Sequence, residues 1–126
     1  MIDTLNDDAR RLLPLTVQQF HILLALTDVE RHGYGIILEI ERRTGGALRL
    51  LTGTLYTAIA RLEELRLIES VTRRRSDEDP RRKYYRLTPL GAAVVVAETE
   101  RLASLVRQAR RKGVRLGSNP ALSRLK

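Results

Sequence analysis

Apolar residues recur at helical spacing along residues 52–68, the stretch around which the rest of the chain is organised. Steps of four, three and three residues separate Leu55, Ile59, Leu62 and Leu65, which is the period of a helix with one buried side. Thr52 is a suitable N-cap, because its hydroxyl can accept a hydrogen bond from a free amide of the first turn. The opposite side is small, hydroxylated or charged: Gly53, Thr57, Ala60, Arg61 and Glu64.

Three further helices are predicted before this one. Residues 3–13 form the first, with Leu5, Ala9, Leu12 and Leu13 on one side and Pro14 after its end. Thr16 and Gln19 have the spacing of a capping box and begin a helix to about Leu26, whose core side is Phe20, Leu23, Leu24 and Ala25. After a turn at residues 31–33, residues 34–44 form the third, with Ile36, Ile37 and Ile40 buried and Gly45-Gly46 at its end. The last two helices and the 52–68 helix fit a helix-turn-helix layout, although many bundles that do not bind DNA share it.

The pattern changes after Ile68. Residues 70–75 and 82–88 are short and rich in Thr, Val and Tyr, which predicts a hairpin, or wing, with Tyr85 packed inward and Tyr84 facing out. Six cations flank its polar turn and are expected to contact phosphates: Arg73, Arg74, Arg75, Arg81, Arg82 and Lys83. The alternative is a solvated hairpin balanced by the acids of the turn, Asp77, Glu78 and Asp79, which leave an excess of positive charge.

A long helix is predicted over residues 89–112, with Thr88 as N-cap, Pro89 at the first helical position and Gly113 at its end. Its apolar stripe consists of Leu90, Val94, Val95, Leu102, Leu105, Val106 and Ala109. The helix would be about 36 Å long at 1.5 Å per residue, longer than a small core can cover. We therefore expect it to pack against the N-terminal helix and to form a dimer interface. Residues 113–126 are expected to be a mobile basic tail.

Composition favours an acidic partner. The 126 residues carry a formal net charge of +8, and residues 101–126 hold eight basic side chains and no acidic one. There is no cysteine, so disulfides and thiolate metal sites are excluded. No apolar run approaches the ~18 residues of a membrane helix, and the polar, acidic N-terminus does not resemble a secretory signal, so a cytoplasmic protein is expected.

Catalysis, a cofactor and a metal site are not expected. His21 and His32 have no partner at metal-ligand spacing and are interpreted as surface or core-edge residues. The acidic cluster 77–79 has no partner set for general acid–base chemistry, and no glycine loop of phosphate-binding type is present. The 52–68 helix instead has the chemistry of a helix that enters the major groove, because small side chains, hydroxyls and an Arg suit the groups that base edges present there. The alternative is an ordinary amphipathic helix with a solvated side.

Three segments resemble the PadR family of bacterial transcriptional regulators: HGYGIILEIERRTGG, TGTLYTAIARLEELRLIES and RRKYYRLTPLG. The matching features are Gly33-Tyr34-Gly35, then Gly53-Thr54-Leu55-Tyr56, then Tyr85-Arg86-Leu87-Thr88 with Gly91 after it. The resemblance implies a winged helix-turn-helix followed by a dimerising C-terminal helix. It also implies a regulator that often represses detoxification, efflux or stress genes and that a small aromatic ligand releases in some members.

The resemblance places Tyr56 and Thr57 near DNA and Tyr34 at a phosphate. The alternative for Tyr56 is that its ring only covers the edge of the core. Because the chain has no Trp and only 4% aromatic residues, a flat aromatic sandwich around a ligand is not expected. The complete set expected to contact DNA is Tyr34, Thr52, Gly53, Thr54, Tyr56, Thr57, Arg61 and the six wing cations.

The predicted fold is mainly α with a small β-hairpin. Its parts are an N-terminal helix (1–14), a winged helix-turn-helix (15–88), a dimerisation helix (89–112) and a basic tail (113–126). Two functions follow from different classes. One is a dimeric repressor that reads an inverted repeat through Thr57 and Arg61, with an effector of unspecified chemistry. The other is a non-specific RNA-binding or nucleoid protein that needs only Arg73–Arg75 and the tail.

Overall fold

The computed structural model describes residues 2–72 and 82–117. Within these ranges the elements follow in the order α1 (Ile2–Arg11), α2 (Val17–Ala25), β1 (Arg31–His32), α3 (Gly33–Arg43), α4 (Thr52–Glu64), β2 (Ile68–Val71), β3 (Tyr84–Leu87) and α5 (Pro89–Arg111). The predicted fold class is confirmed, since helices dominate and the strands form one small antiparallel sheet. No helix of the described part has both the length and the apolar character to cross a membrane.

Helices α2, α3 and α4 pack together through their apolar sides. The residues with no solvent exposure include Ile22, Leu23, Ile36, Ile40, Leu55 and Leu62. The predicted capping box opens α2: the Gln19 amide donates to the Thr16 hydroxyl and the Thr16 amide donates to the Gln19 side chain, both at 3.0 Å. The buried stripes of α3 and α4 predicted from the sequence are confirmed, except that Leu65 is only partly buried and lies just after the end of α4.

The turn predicted at residues 31–33 is wrong. Arg31 and His32 form β1, which pairs antiparallel with β3 and places His32 opposite Tyr84. The sheet has three strands in the order β1-β3-β2. A strand of two residues carries no alternation that a sequence pattern could reveal. The extra strand also explains why Tyr84 is buried, at 7% exposure, although it was expected to face out; its ring meets His32 edge-on at 5.3 Å between centroids.

Both ends of α4 differ from the prediction. Leu51 is the N-cap and makes no side-chain cap bond, so Thr52 is the first helical residue rather than the cap. The helix ends at Glu64, and Arg66 then takes a left-handed φ of 61°. This turn sends the chain into β2, so Ile68 lies in a strand. The first predicted strand begins two residues earlier than expected, at Ile68–Val71, and residues 73–75 of that prediction lie outside the described residues. The second is shorter than predicted, at Tyr84–Leu87.

The start of α5 is built as predicted. Thr88 is the N-cap and Pro89 follows it in the first turn. The Thr88 hydroxyl accepts from the Gly91 amide at 3.0 Å and donates to the Arg66 carbonyl at 2.6 Å. One side chain therefore joins the turn after α4 to the long helix.

Helix α1 lies along α5, as predicted. Ala9 of α1 is completely buried and belongs to the hydrophobic core, and Leu12 and Leu13 pack against the same core. Val94 and Val95 of α5 also belong to it, with 0% and 8% exposure. They were assigned to a dimer interface from the sequence, and that assignment is corrected because the protomer already covers them.

Candidate nucleic-acid interface

Helix α4 presents an exposed side opposite its buried stripe. Gly53, Thr57, Ala60, Arg61 and Glu64 are all exposed, whereas the opposite positions contact the core. Thr52 and Thr54 are exposed as well, at the start of the helix. The structure thus places the α4 part of the predicted DNA set on one accessible surface.

The polar groups of this surface are held weakly enough to exchange partners. The exposed Thr57 hydroxyl donates to the Gly53 carbonyl at 3.0 Å, and its oxygen can still accept a hydrogen bond. Arg61 pairs with Glu64 at 3.2 Å, and both side chains are more than half exposed. An exposed pair of this kind contributes about 0–1 kcal/mol, so the guanidinium can leave it for a stronger acceptor.

Two tyrosines stand where α3 begins beside α4. Tyr34 is 60% exposed and Tyr56 is 46% exposed. The Tyr56 ring lies over Gly33, the first residue of α3, which has no side chain to obstruct it. The buried Tyr85 lies beneath, and burial raises the pKa of its phenol, with further contributions from Tyr56 and Glu63.

His32 connects α3 to the base of the wing, a role that was not predicted from the sequence. Its Nδ1 accepts a hydrogen bond from the Gly35 amide at 3.0 Å and so caps α3. Its Nε2 lies 3.2 Å from Nη1 of Arg82. A His directly before a helix with Gly three residues later was the available signal, because a ring nitrogen can replace the usual capping oxygen.

The aromatic hollow, as we term it, is a cavity of about 290 Å³ beside these residues. It is lined by His32, Gly33, Tyr34, Tyr56, Arg82, Lys83 and Tyr85. Arg82 and Lys83, which we call the wing base, are both exposed. The described part of this lining therefore combines two cations and three phenols and includes no carboxylate, a composition suited to an anion.

The helix groove is a second hollow, on the other flank of α4, of about 560 Å³. It is lined by Thr16, Gln18, Gln19, Gly53, Thr54, Thr57, Ala58 and Arg61. Thr16 and Gln19 were recognised in the sequence only as a cap of α2, and Gln18 was not singled out. Their place beside α4 depends on tertiary packing, which a local pattern does not carry.

Four of the six predicted wing cations lie outside the described residues: Arg73, Arg74, Arg75 and Arg81. The same holds for the acids of the turn, Asp77, Glu78 and Asp79, and for the tail from residue 118 onward. In the parts that the structure does describe, no group of three His, Cys, Asp or Glu side chains could hold a metal ion.

The far half of α5 exposes large apolar side chains. We call Leu102, Leu105 and Val106 the α5 stripe; they are 37%, 47% and 41% exposed. Ala109 and Leu90 of the predicted dimer set are partly exposed. The predicted interface is thus reduced to the part of α5 beyond the core.

Comparisons with known proteins agree with this architecture. Residues 22–97 match the family described as the transcriptional regulator PadR-like family. The chain is 33% identical over 90 residues to a transcriptional regulator of Mycobacterium tuberculosis, covering 71% of this chain and 79% of that protein. It covers 65% and 23% of the length of two other curated relatives, less than two thirds of each.

Solved structures are also similar. A transcriptional regulator from Clostridium thermocellum matches with a TM-score of 0.64 and 32% identity, over 78% of this chain and 90% of that one. Bacillus subtilis PadR, solved in complex with operator DNA, matches with a TM-score of 0.58 and 23% identity, over 67% and 46%. The second likeness concerns the fold alone.

Proposed function

The chain belongs to the transcriptional regulator PadR-like family, and from this membership we propose that it is a dimeric repressor that binds an inverted repeat in duplex DNA. Proteins of this family regulate transcription and are not enzymes, which agrees with the expectation from the sequence. The family resemblance alone favours repression and release by a small-molecule or stress signal.

The distribution of carboxylates around α4 carries the proposal. Among the residues that the structure describes, no acidic side chain lines the aromatic hollow or the helix groove, which flank the exposed side of α4. Two other hollows, at the far end of the sheet, are each lined by two acidic residues. Glu63 and Glu69 line one, and Asp28 and Glu30 line the other. Since a DNA backbone repels carboxylates and attracts cations, α4 is the side suited to face DNA.

Each structural part then has a role in binding. Thr57 and Arg61 face the major groove, where Arg can donate to guanine O6 and N7. Tyr34 and the wing base contact phosphates on one flank, and Gln18 faces the backbone on the other. Backbone contacts fix the register of the helix, while base contacts supply the sequence preference.

The α5 stripe supports the dimer. Three neighbouring large apolar side chains exposed on the far half of one helix form a surface of the kind that marks an interface. A two-fold axis at this stripe would present two copies of α4 to DNA. Half-sites about 34–36 Å apart would follow, and the operator would be an inverted repeat.

Selection of bound fragments from a random DNA pool tests the function. An enriched inverted repeat supports a dimeric reader of sequence. Retention without any enriched sequence would instead indicate the non-specific nucleic-acid binder. A reporter with the selected site placed over its promoter then tests the direction of control, and increased expression would overturn repression.

Sedimentation at micromolar concentration tests the dimer. We expect Leu102→Glu/Leu105→Glu to convert a wild-type dimer into a monomer. Val96 is a matched control, because it is 57% exposed and lies on the other side of α5. Val96→Glu should remain dimeric. A monomeric wild type, or a double variant that stays dimeric, would mean that the stripe is not the interface.

A further inference from the structure

Glu98 is buried in α5, away from the α4 surface proposed to contact DNA. Among the described residues, Glu98 is the one charged residue that is buried, with 2% exposure. It lies on α5 close to the buried Val94 and Val95, where α1 and the start of α2 meet the long helix. Burying a carboxylate is unfavourable unless partners satisfy its oxygens, so its contacts indicate its role.

Both carboxylate oxygens of Glu98 have partners. Oε2 accepts a hydrogen bond from the Leu15 amide at 2.8 Å. Oε1 accepts a hydrogen bond from Nε of Arg101, one helical turn further along α5. Leu15 lies in the connection between α1 and α2, directly before Thr16, the N-cap of α2. The carboxylate therefore binds the backbone at the point where the helix-turn-helix begins.

The residue after Leu15 links the Glu98 contact to the proposed DNA-binding surface. Thr16 caps α2 and also lines the helix groove, across from Gly53 and Thr57 of α4. A shift of the chain at Leu15 would move the start of α2, and with it one wall of that groove. An apolar side chain of similar size could fill the space at Glu98, but it could not fix a backbone amide in one direction.

We propose that Glu98 is a positioning residue that sets the orientation of the DNA-binding helices relative to α5, and thereby the half-site spacing that the dimer accepts. The inference rests on the proposed dimeric function. In a two-fold dimer, α5 carries the interface and α4 carries the base contacts. The link between them determines whether both copies of α4 fit one repeat at the same time.

The test uses the full chain and the selected repeat, prepared with half-site separations that differ by single base pairs, together with one isolated half-site. The wild type should prefer one separation. Glu98→Leu keeps the volume and removes the acceptor. It should bind the half-site within about twofold of wild type, lose about tenfold or more on the preferred repeat, and respond more evenly to spacing, because simultaneous engagement depends on geometry.

Two further variants separate the tether from general stability. Glu98→Gln keeps an acceptor for the Leu15 amide, and Arg101→Gln removes the ion pair but leaves the hydrogen bond from Leu15 to Glu98. Both should retain the wild-type spacing profile, and Glu98→Gln keeps the inference falsifiable if Glu98→Leu does not fold. A flattened profile in Glu98→Gln, or equal losses on half-site and repeat in Glu98→Leu, would overturn the inference.

Binding by the wild type alone tests the proposed function separately from the role of Glu98. If it binds half-site and repeat equally and prefers no spacing, the dimeric repressor fails, and the role of Glu98 fails with it. If the wild type shows a sharp spacing preference that Glu98→Leu shares, only the role of Glu98 is rejected.

Discussion

The phenol of Tyr56 on α4 lies directly against Gly33 at the start of α3. A Cβ atom on Gly33 would be 2.4 Å from the Tyr56 hydroxyl oxygen and 2.8 Å from its Cζ. Gly33 itself is buried, whereas Tyr56 is 46% exposed. The absence of a side chain at position 33 therefore determines where the exposed part of Tyr56 can stand in the aromatic hollow.

Gly33→Ala should weaken DNA binding by moving Tyr56. The atoms that would collide belong to the outer end of a half-exposed side chain, which can swing away, so we expect only a small change in thermal stability. Titration of the selected operator measures the loss of affinity. In a Tyr56→Ala background the same substitution should have little further effect, since its partner is already absent.

An additive loss in the double variant would contradict this account, because Gly33 would then act through something other than Tyr56. Tyr56→Phe is the companion measurement. It keeps the ring against Gly33 and removes only the hydroxyl, so it shows whether the phenol bonds to DNA or serves as a packing surface.

Gly91→Ala should destabilise the fold itself. A Cβ at this position would be 1.9 Å from the carbonyl oxygen of Leu67, and this backbone atom also accepts from the Thr88 amide at 3.1 Å. Because backbone cannot swing aside, we expect a loss of roughly 1–3 kcal/mol in the free energy of unfolding. Chemical denaturation measures it.

Gly53→Ala is the matched control, since a Cβ at Gly53 meets no atom within 4 Å. There the gain in helix propensity should stabilise the protein by about 0.5–1 kcal/mol. Equal stability of the two variants would mean that α5 can move away from Leu67 at little cost.

The helices were predictable because their signals are local. The capping box at Thr16 and Gln19, the Thr88-Pro89 start of α5 and the buried stripe of α4 each depend on residues within a few positions of one another. The start of α4 was misplaced because Thr52 has the right residue type for a cap, while the chain instead turns at Leu51, which offers no polar side chain.

The surroundings of the site were less predictable because they depend on distant residues. β1 exists only through its pairing with β3, about fifty residues later in the chain. The same long-range packing brings His32 next to Arg82 and places Gln18 in the helix groove. The residue types of the α4 surface could be listed from the sequence, but the walls on either side of it could not.

Acid should destabilise the protein partly through Glu98. The hydrogen bond from Arg101 and the Leu15 amide lower the pKa of Glu98 below its ordinary value of 4.5, although burial opposes them. The unfolded state therefore binds the proton more readily. The stabilising contribution is complete above that ordinary value and is lost as the pH falls through the lower folded pKa.

Melting temperatures of wild type and Glu98→Gln, measured from pH 6 down to pH 3, test this prediction. The wild type should be the more stable at pH 6, and the difference should shrink as the pH falls below 4.5. Glu100→Gln, at an exposed neighbouring position, is the control. A difference that stays constant over the whole range would show that proton binding at Glu98 is not linked to folding.

Arg61→Ala should reduce discrimination between DNA sequences. If the guanidinium leaves Glu64 to donate to a base, its removal costs ~1–3 kcal/mol on the selected site and little on scrambled DNA. Arg10→Ala is a matched control, because Arg10 forms a similar exposed pair with Asp7 on α1, at 3.6 Å. Equal losses on selected and scrambled DNA would reassign Arg61 to a phosphate.

The salt dependence of binding should reveal the wing base. If the dimer neutralises ~6–10 phosphates, its affinity should fall by ~10³–10⁵ between 50 and 200 mM salt. Arg82→Gln removes one cation from each protomer and should reduce the slope of log affinity against log salt by about 2, on any DNA sequence. Lys83→Gln should act in the same way, because both side chains are exposed on the aromatic hollow.

Arg107→Gln distinguishes direct contact from overall charge. Arg107 is an exposed cation on the far half of α5, and its substitution changes the net charge by the same amount. Released counterions are counted at phosphates that are actually contacted, so the Arg107→Gln slope should equal that of the wild type while the Arg82→Gln slope falls. If both slopes fall together, the wing base attracts DNA only through its general field, and the anion contact in the aromatic hollow must be abandoned.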